Sequence, residues 1–495
     1  MKSKDLFDAI GMAKDDYISD AKKPIPKKIY RSKRFYSGIA AVLACAILIG
    51  AFAFPKSPWF VGNWWGSEEE EHLPLSDEDF LSNYVISAAY YPSMVQYPKD
   101  SNATYEDRSA WNDSIRELRK DYQNMSIDLD HFFSQSIPVF LSGDEGENRI
   151  YSPLNVYMAL GMLAETTGGN SRAQVLNLLG IDSITRLRQQ SAAIWKANYR
   201  DDGMTTCLLA NSLWLREDDD YRGDTVAILS RDYYASVFRG EMGSDDYNKA
   251  LRTWLNNQTG GLLEDQINQL EMNPATVLAL ASTVWFEAAW DDEFSKGNND
   301  TKVFHAPTGD TEATFMNECF YSKTYYWGDQ FGAIDLSFKT EGRMTIILPD
   351  EGVSPESLLS DAQCMDFVIN RGEWKNADYV NVNLSLPKFD VSSQIDLKEG
   401  LQALGVTDVF DHTISDFSAI TPQHHDVELT KVAHGARVQI DEEGCVAAAS
   451  TVIIFDHGGM PPEKEIDFIV DRPFLFVIYS PSNLPLFVGI VNHPQ

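Results

Sequence analysis

Cysteine is scarce in this chain. The five, Cys45, Cys207, Cys319, Cys364 and Cys445, are odd in number and widely spaced, which excludes a disulfide framework. Signatures of the common catalytic and nucleotide-binding sites are missing too: there is no H-E-x-x-H, G-x-S-x-G, G-x-G-x-x-G or P-loop, so the chain does not read as an enzyme. Positive charge is short. Against 73 Asp and Glu there are 41 Lys and Arg, a net of −32, and because residues 1–54 carry +5 the remainder carries −37. Nucleic acid is thereby excluded as a partner, and the surplus reads as an acidic surface that keeps an exported protein soluble. A metal set is lacking as well. His424 and His425 with Asp426 are adjacent, and neighbours in an extended chain point to opposite faces, so a polar loop is favoured. Asp218 to Asp220 and Asp291 to Glu293 read as solvated loop ends. No metal and no cofactor is expected.

What is present begins with an uncharged apolar run, Ser37 to Phe54, of 18 residues. As a helix it spans about 27 Å, close to a hydrocarbon core. Lys27, Lys28, Arg31, Lys33 and Arg34 precede it, whereas Trp59, Trp64, Trp65 and the acidic Glu68 to Glu71 follow. Cytoplasmic basic residues then put 1–36 inside, 37–54 across the membrane and the bulk of the chain outside. Ala51 and Ala53 form an A-x-A site, so a cleaved signal peptide and a secreted product compete with the anchor; the long leader favours the anchor. Cys45 after Val42-Leu43-Ala44 is a faint lipoprotein box. Residues 55–82, rich in Pro, Trp and acid, read as a linker. The aromatic span 83–124 is expected to pack on the main domain, 125–495, as an extension.

One segment near the carboxyl end is strand-forming in composition yet bracketed by flexible joints. Cys445 to Phe455 has no charge, Gly or Pro and is β-branched, whereas Asp441, Glu442, Glu443 and Gly444 precede it and Asp456 to Gly459 follow. Alternate residues Cys445, Ala447, Ala449 and Thr451 are small, so one face of such a strand passes between large neighbours. Its surroundings, KVAHGARVQIDEEGCVAAAS, resemble the hinge of the serpins, serine-protease inhibitors whose reactive loop inserts into their own central sheet. FIVDRPFLFVIY resembles the serpin signature segment. YSPLNVYMALGMLAETTGGNSRAQVLNLLG, LANSLWL, TVWFEAAWDDEF and VNLSLPKFDVSSQIDLKEGLQALGVTDVF match further motifs in order, over roughly the last three quarters of the chain. The resemblance is to a serpin of bacterial type, membrane-anchored or secreted.

The resemblance implies an α+β fold: a large central antiparallel sheet, further sheets, surrounding helices and an exposed reactive-centre loop, in a monomer. It implies a suicide substrate, in which a target serine protease cleaves the loop and the severed loop inserts. The hinge is then Glu442, Gly444, Cys445, Ala447, Ala448, Ala449 and Ser450. The reactive bond is Gly458-Gly459, with His457 and Met460 as near alternatives, which suits small-pocket elastase-like or subtilisin-like enzymes. A non-inhibitory serpin acting as an extracellular binding protein is the rival, and the small residues Ala447 to Ser450 argue against it. The sheet-opening region is Ser152, Asn155, Ser282, Trp290 and His434, with Asn155 and Ser282 departing from the family's usual serine and asparagine. Glu287 stands where the family has a basic residue. Cys445, where the family usually has Thr or Ser, reads as a small buried filler, with a redox switch as the alternative.

From the residues alone, Ser152-Pro153 reads as a side-chain cap with Pro at the first helical position, and Leu154 to Leu163, apolar nearly all round, as a buried helix. Val380, Val382, Leu384 and Leu386 alternate with Asn381, Asn383 and Ser385, the pattern of a half-buried antiparallel strand.

Overall fold

Two large sheets and the helices around them make an α+β protein. The computed structural model describes residues 76–99, 103–125, 127–143, 146–267, 270–370, 374–423, 427–429, 432–445 and 464–494. The apolar run 37–54, the triplet 424–426, hinge residues Ala447 to Ser450 and the Gly458-Gly459 bond lie outside them. Among the described residues no helix is long and apolar enough to cross a membrane.

Among the described residues the central sheet has eight strands and runs Val85–Ser87, Ala235–Gly240, Thr205–Arg216, Leu278–Ala289, Gly444–Cys445, Ala433–Ile440, Phe389–Asp396, with Arg200–Asp201 beside Thr205–Arg216. All its pairings are antiparallel except that of Thr205–Arg216 with Ala235–Gly240. In the second sheet, of nine strands among the described residues, Ala377–Pro387 pairs antiparallel with Gly309–Trp327 and parallel with Glu465–Ile469. The alternation read from its sequence is present: Val380, Val382, Leu384 and Leu386 are buried, and Asn383 reaches Glu465 and Asp467 at the edge. Ser385 departs from it, being buried and bonded by Lys302.

Helix Pro153–Thr166 lies in the core, buried at every position from Pro153 to Thr166 but one. Each fully buried Leu or Met there contributes about 1.5–3 kcal/mol, which offsets the weak capping of its start. The expected side-chain cap does not form. Ser152 Oγ donates instead to the Leu486 carbonyl at 2.6 Å, and the Ser152 N–H donates to His434 Nε2 at 3.0 Å. Buried tertiary acceptors outcompete the helix's own N–H groups for this residue.

The segments ahead of the main body are built on to it. Ser76 caps a short helix, Asp77–Leu81, at the end of the span read as a linker. Phe80, Leu81 and Tyr84 pack against a second core cluster that includes Trp214, Phe238, Tyr247 and Trp254, so apolar side chains in an acidic stretch suffice to dock it. Val85–Ser87 adds a strand to the sheet edge, and Tyr91 stacks on Trp195 at 5.3 Å. A capping box of Thr104 and Asp107 opens helix Tyr105–Gln123, whose Trp111 donates to Asp202 at 3.0 Å and whose Arg119 pairs with Glu341 at 2.7 Å. Asp219, expected in a solvated loop end, is buried and held by Arg216 at 2.7 Å. Pairing offsets part of the cost of burying its charge.

Candidate functional site

The central sheet has a strand-wide slot. Among the described residues no ladder joins Leu278–Ala289 directly to Ala433–Ile440; the two-residue strand Gly444–Cys445 stands between them. Gly444 pairs with Ala289, and Cys445 pairs with Ala288 on one side and Ile440 on the other. Farther along, the slot opens into a cavity of about 560 Å³ lined by Asn155, Leu160, Ala281, Thr283, His434 and Gly435.

A tight turn delivers the chain to the slot. Asp441 Oδ1 accepts from the N–H groups of Glu443 and Gly444 at 2.8 and 3.2 Å, and the Asp441 N–H donates to the Gly444 carbonyl at 3.1 Å. Gly444 has φ +152°, and a Cβ there would lie 2.2 Å from the Ala288 carbonyl oxygen, so only glycine fits. Trp290 grips the turn twice: its indole donates to the Asp441 carbonyl at 2.9 Å and its N–H to the Glu443 carbonyl at 3.0 Å. The ring is fixed by stacking on Phe338 at 4.9 Å.

Glu442 is 4 % exposed, yet ionised. Burial alone would raise its pKa, but hydrogen bonds from Lys388 and Asn299 outweigh that and hold the carboxyl below its usual range. Lys388 Nζ lies 2.6 Å from the carboxylate, and Lys296 pairs at 2.7 Å with the neighbouring Glu443. Cys445 is buried with Sγ 3.9 Å from the Phe286 carbonyl, and burial pushes its thiol well above the usual range. That environment suits the filler reading, since a buried neutral thiol is unreactive.

The polar residues expected to open the sheet form two groups rather than one. Ser152 and His434 are joined by the hydrogen bond described above, with the His434 ring edge-on to Tyr151 at 5.5 Å. Burial pushes the His434 pKa down to about 4, so the imidazole is neutral at physiological pH. Asn155 and Ser282 form the other group, together with Asn211. Ser282 Oγ contacts Asn155 Oδ1, as placed, and Asn211 Oδ1 at 2.7 Å, and Asn211 Nδ2 donates to the Tyr233 carbonyl at 2.9 Å. A single hydroxyl hydrogen serves only one acceptor, so the Asn155 amide is best turned to present Nδ2 to Ser282. Asn155, Ser282 and His434 line the cavity, whereas Trp290 belongs to the hinge end.

Asn211 stands directly across from Ser282, the position where the family's asparagine was expected. Lys388 and Asn299 are likewise absent from the sequence reading. Lys388 follows Pro387 inside a motif quoted for its order alone, and the burial of Glu442 that calls for such a partner is visible only in the structure.

A protein-family model described as "Serpin (serine protease inhibitor)" matches residues 131–494. The chain is 27 % identical over 383 residues to Serpin B6 of Pongo abelii, covering 73 % of this chain and 97 % of that protein. It is 28 % identical over 363 residues to the leukocyte elastase inhibitor of Sus scrofa, covering 70 % and 93 %. The crystal structure of tengpin, a thermophilic serpin in its native state, is similar with a TM-score of 0.65 and 26 % identity, covering 74 % of this chain and 95 % of tengpin. Motifs, sheet order and the family match together establish that the chain belongs to the serpin family, whose members are protease inhibitors rather than enzymes.

Proposed function

We propose that this serpin inhibits serine endopeptidases as a suicide substrate. The observation that carries the reading is Gly444–Cys445, seated in the slot as its first two rungs. In the proposed reaction the protease serine attacks the Gly458 carbonyl, the bond to Gly459 breaks with a proton passing to the leaving amine, and an acyl-enzyme forms. The freed loop then inserts before water hydrolyses the ester.

Continuing the register of Cys445 brings Ala447 opposite Phe286 and Val438, Ala449 opposite Val284 and Ala436, and Thr451 opposite Ser282 and His434. Phe286, Val438, Ala436 and His434 are buried, so small residues on that face of the loop meet no bulk limit. On the other face Ser450 comes opposite Thr283, whose buried hydroxyl makes no hydrogen bond among the described residues. Cross-strand Ser/Thr hydroxyl pairs stabilise sheets, so the loop supplies a partner that the slot lacks. About ten new rungs at roughly 1 kcal/mol each would drive insertion from a kinetically trapped state.

Glycine at the cleaved bond favours a protease with a small primary pocket, elastase-like or subtilisin-like, in keeping with relatives named leukocyte elastase inhibitors. The test mixes the full chain with a panel of such proteases. A complex that survives a denaturing gel, together with a large rise in thermal midpoint of the loop-cleaved chain, is the expected result. Cleavage by every protease without complex, and without that rise, leaves only a binding role.

Location is part of the proposal. A bacterial-type serpin held by Ser37–Phe54, with 1–36 inside and the inhibitor outside, follows from the basic flank. Protease added to intact cells should release the inhibitor domain and spare the first residues; a mature form starting near Phe54 would instead mean secretion.

A further inference from the structure

The slot is walled by two strands, and on Leu278–Ala289 a single charged side chain faces this chemistry: the sequence LALASTVWFEAA contains only Glu287. Its position is specific. Cys445 pairs with Ala288, so Glu287 is the next residue along that wall, and Gln439, next to Ile440, is its counterpart on the other. Any strand that lengthens Gly444–Cys445 puts its first new residue between Glu287 and Gln439. In the loop that residue is Val446.

From this register we infer that Glu287 is a brake on loop insertion, a residue that sets the rate at which the slot closes over its first new rung. The inference rests on the insertion reading above. With the slot open, Glu287 is partly exposed and its carboxylate keeps part of its hydration. Insertion sets a β-branched apolar side chain directly opposite at a Cβ separation of about 4.5–5.5 Å, on the same face of the sheet. Water is displaced from the carboxylate and no cation among the described residues replaces it, so the ionised form opposes the first step.

Among the described residues the surroundings offer no compensation. Thr206 stands opposite Glu287 on the far side, and Asp201 lies beyond Thr206. From the turn come Asp441 and Glu443, the latter already paired with Lys296, and the buried Cys445 thiol senses both Glu287 and Asp441. Across the slot, Gln439 is neutral and Arg437 is held by both oxygens of Asp390 at 2.6 and 2.8 Å. On its own strand Trp285 is the nearest polar group. Burial already raises the Glu287 pKa, with the Trp285 indole opposing. Insertion deepens burial, so the protonated form is favoured in the inserted state and insertion accelerates as pH falls.

The experiment follows uptake into the slot of the full chain, on native gels, of an amino-terminally acetylated synthetic peptide with the sequence of residues 446–455 between pH 5 and pH 8, the acetyl group keeping a terminal ammonium away from Glu287. Wild type should take it up about tenfold faster at pH 5 than at pH 8, the equivalent of one pKa unit of differential interaction. Glu287→Gln should take it up at pH 8 as fast as wild type at pH 5, with a flat profile. A merely structural role would change the thermal midpoint of the variant and leave the pH slope in place, which overturns the inference. Equal rates and slopes in the two proteins overturn it as well. No uptake by either, with no gain in heat resistance after loop cleavage, overturns the insertion reading itself and the brake with it.

Discussion

Gly444 and Ala288 touch backbone to backbone, so closely that a Cβ on Gly444 would come within 2.2 Å of the Ala288 carbonyl oxygen. This contact brings the chain leaving the turn into register with the wall of the slot. Gly444→Ala should push the Gly444–Cys445 strand out of the sheet, with strain of about 1–3 kcal/mol if it stays. Hydrogen exchange at 286–290 and 440–445 should quicken while the Leu213 to Leu280 region of the neighbouring ladder is unaffected. Unchanged exchange at both would show that the backbone accommodates the methyl.

Lys388→Met leaves Glu442 buried with Asn299 as its remaining side-chain partner. Breaking a buried pair from one side typically costs about 3–5 kcal/mol, and the one-third exposure of Lys388 points to the lower end. The thermal midpoint should fall, and adding Glu442→Gln should restore part of the loss because the uncompensated charge is removed. Strictly additive losses in the double variant would show that the two residues do not act as a pair.

His434 gives stability a pH dependence of known sign. Folded, its pKa is about 4; unfolded, it is about 6.5. Between these values the unfolded chain binds a proton that the folded chain does not, so the contribution is complete above pH 6.5 and is lost as pH falls toward 4, by at most about 3 kcal/mol. Urea midpoints of wild type and His434→Gln should therefore converge as pH is lowered from 7.5 to 5. Parallel curves would assign the acid sensitivity to other groups.

Ala447→Glu tests the register of the loop. Opposite Phe286 and Val438, both buried, a carboxylate costs several kcal/mol on insertion. Insertion should fall behind deacylation, so the protease cleaves the loop and leaves, and the yield of covalent complex drops. Undiminished yield would mean that residue 447 faces away from the core.

Different kinds of residue were legible to different degrees. Helix Pro153–Thr166 and the alternation in Ala377–Pro387 were readable because burial of one face imposes a local period. Of the expected hinge, Glu442, Gly444 and Cys445 stand at the entry to the slot, whereas Ala447 to Ser450 lie outside the described residues. Ser152 was misread as a cap, since its acceptor, the Leu486 carbonyl, is 334 residues away in sequence. The partnership of Glu442 with Lys388 and Asn299, and that of Asn211 with Ser282, were missed for the same reason.

By itself, then, the sequence determined the family and singled out a segment of strand-forming composition with small residues at alternate positions, because these are properties of local composition and order; that position 444 must be glycine follows from its φ and its approach to Ala288. Only the tertiary structure decided that Gly444 and Cys445 already occupy the slot, which residues wall it, and that Glu287 stands beside the next rung. Those depend on register between strands brought together from residues 278–289 and 433–445. A shift of one residue would turn every side chain to the opposite face, and no local pattern within either segment specifies that alignment.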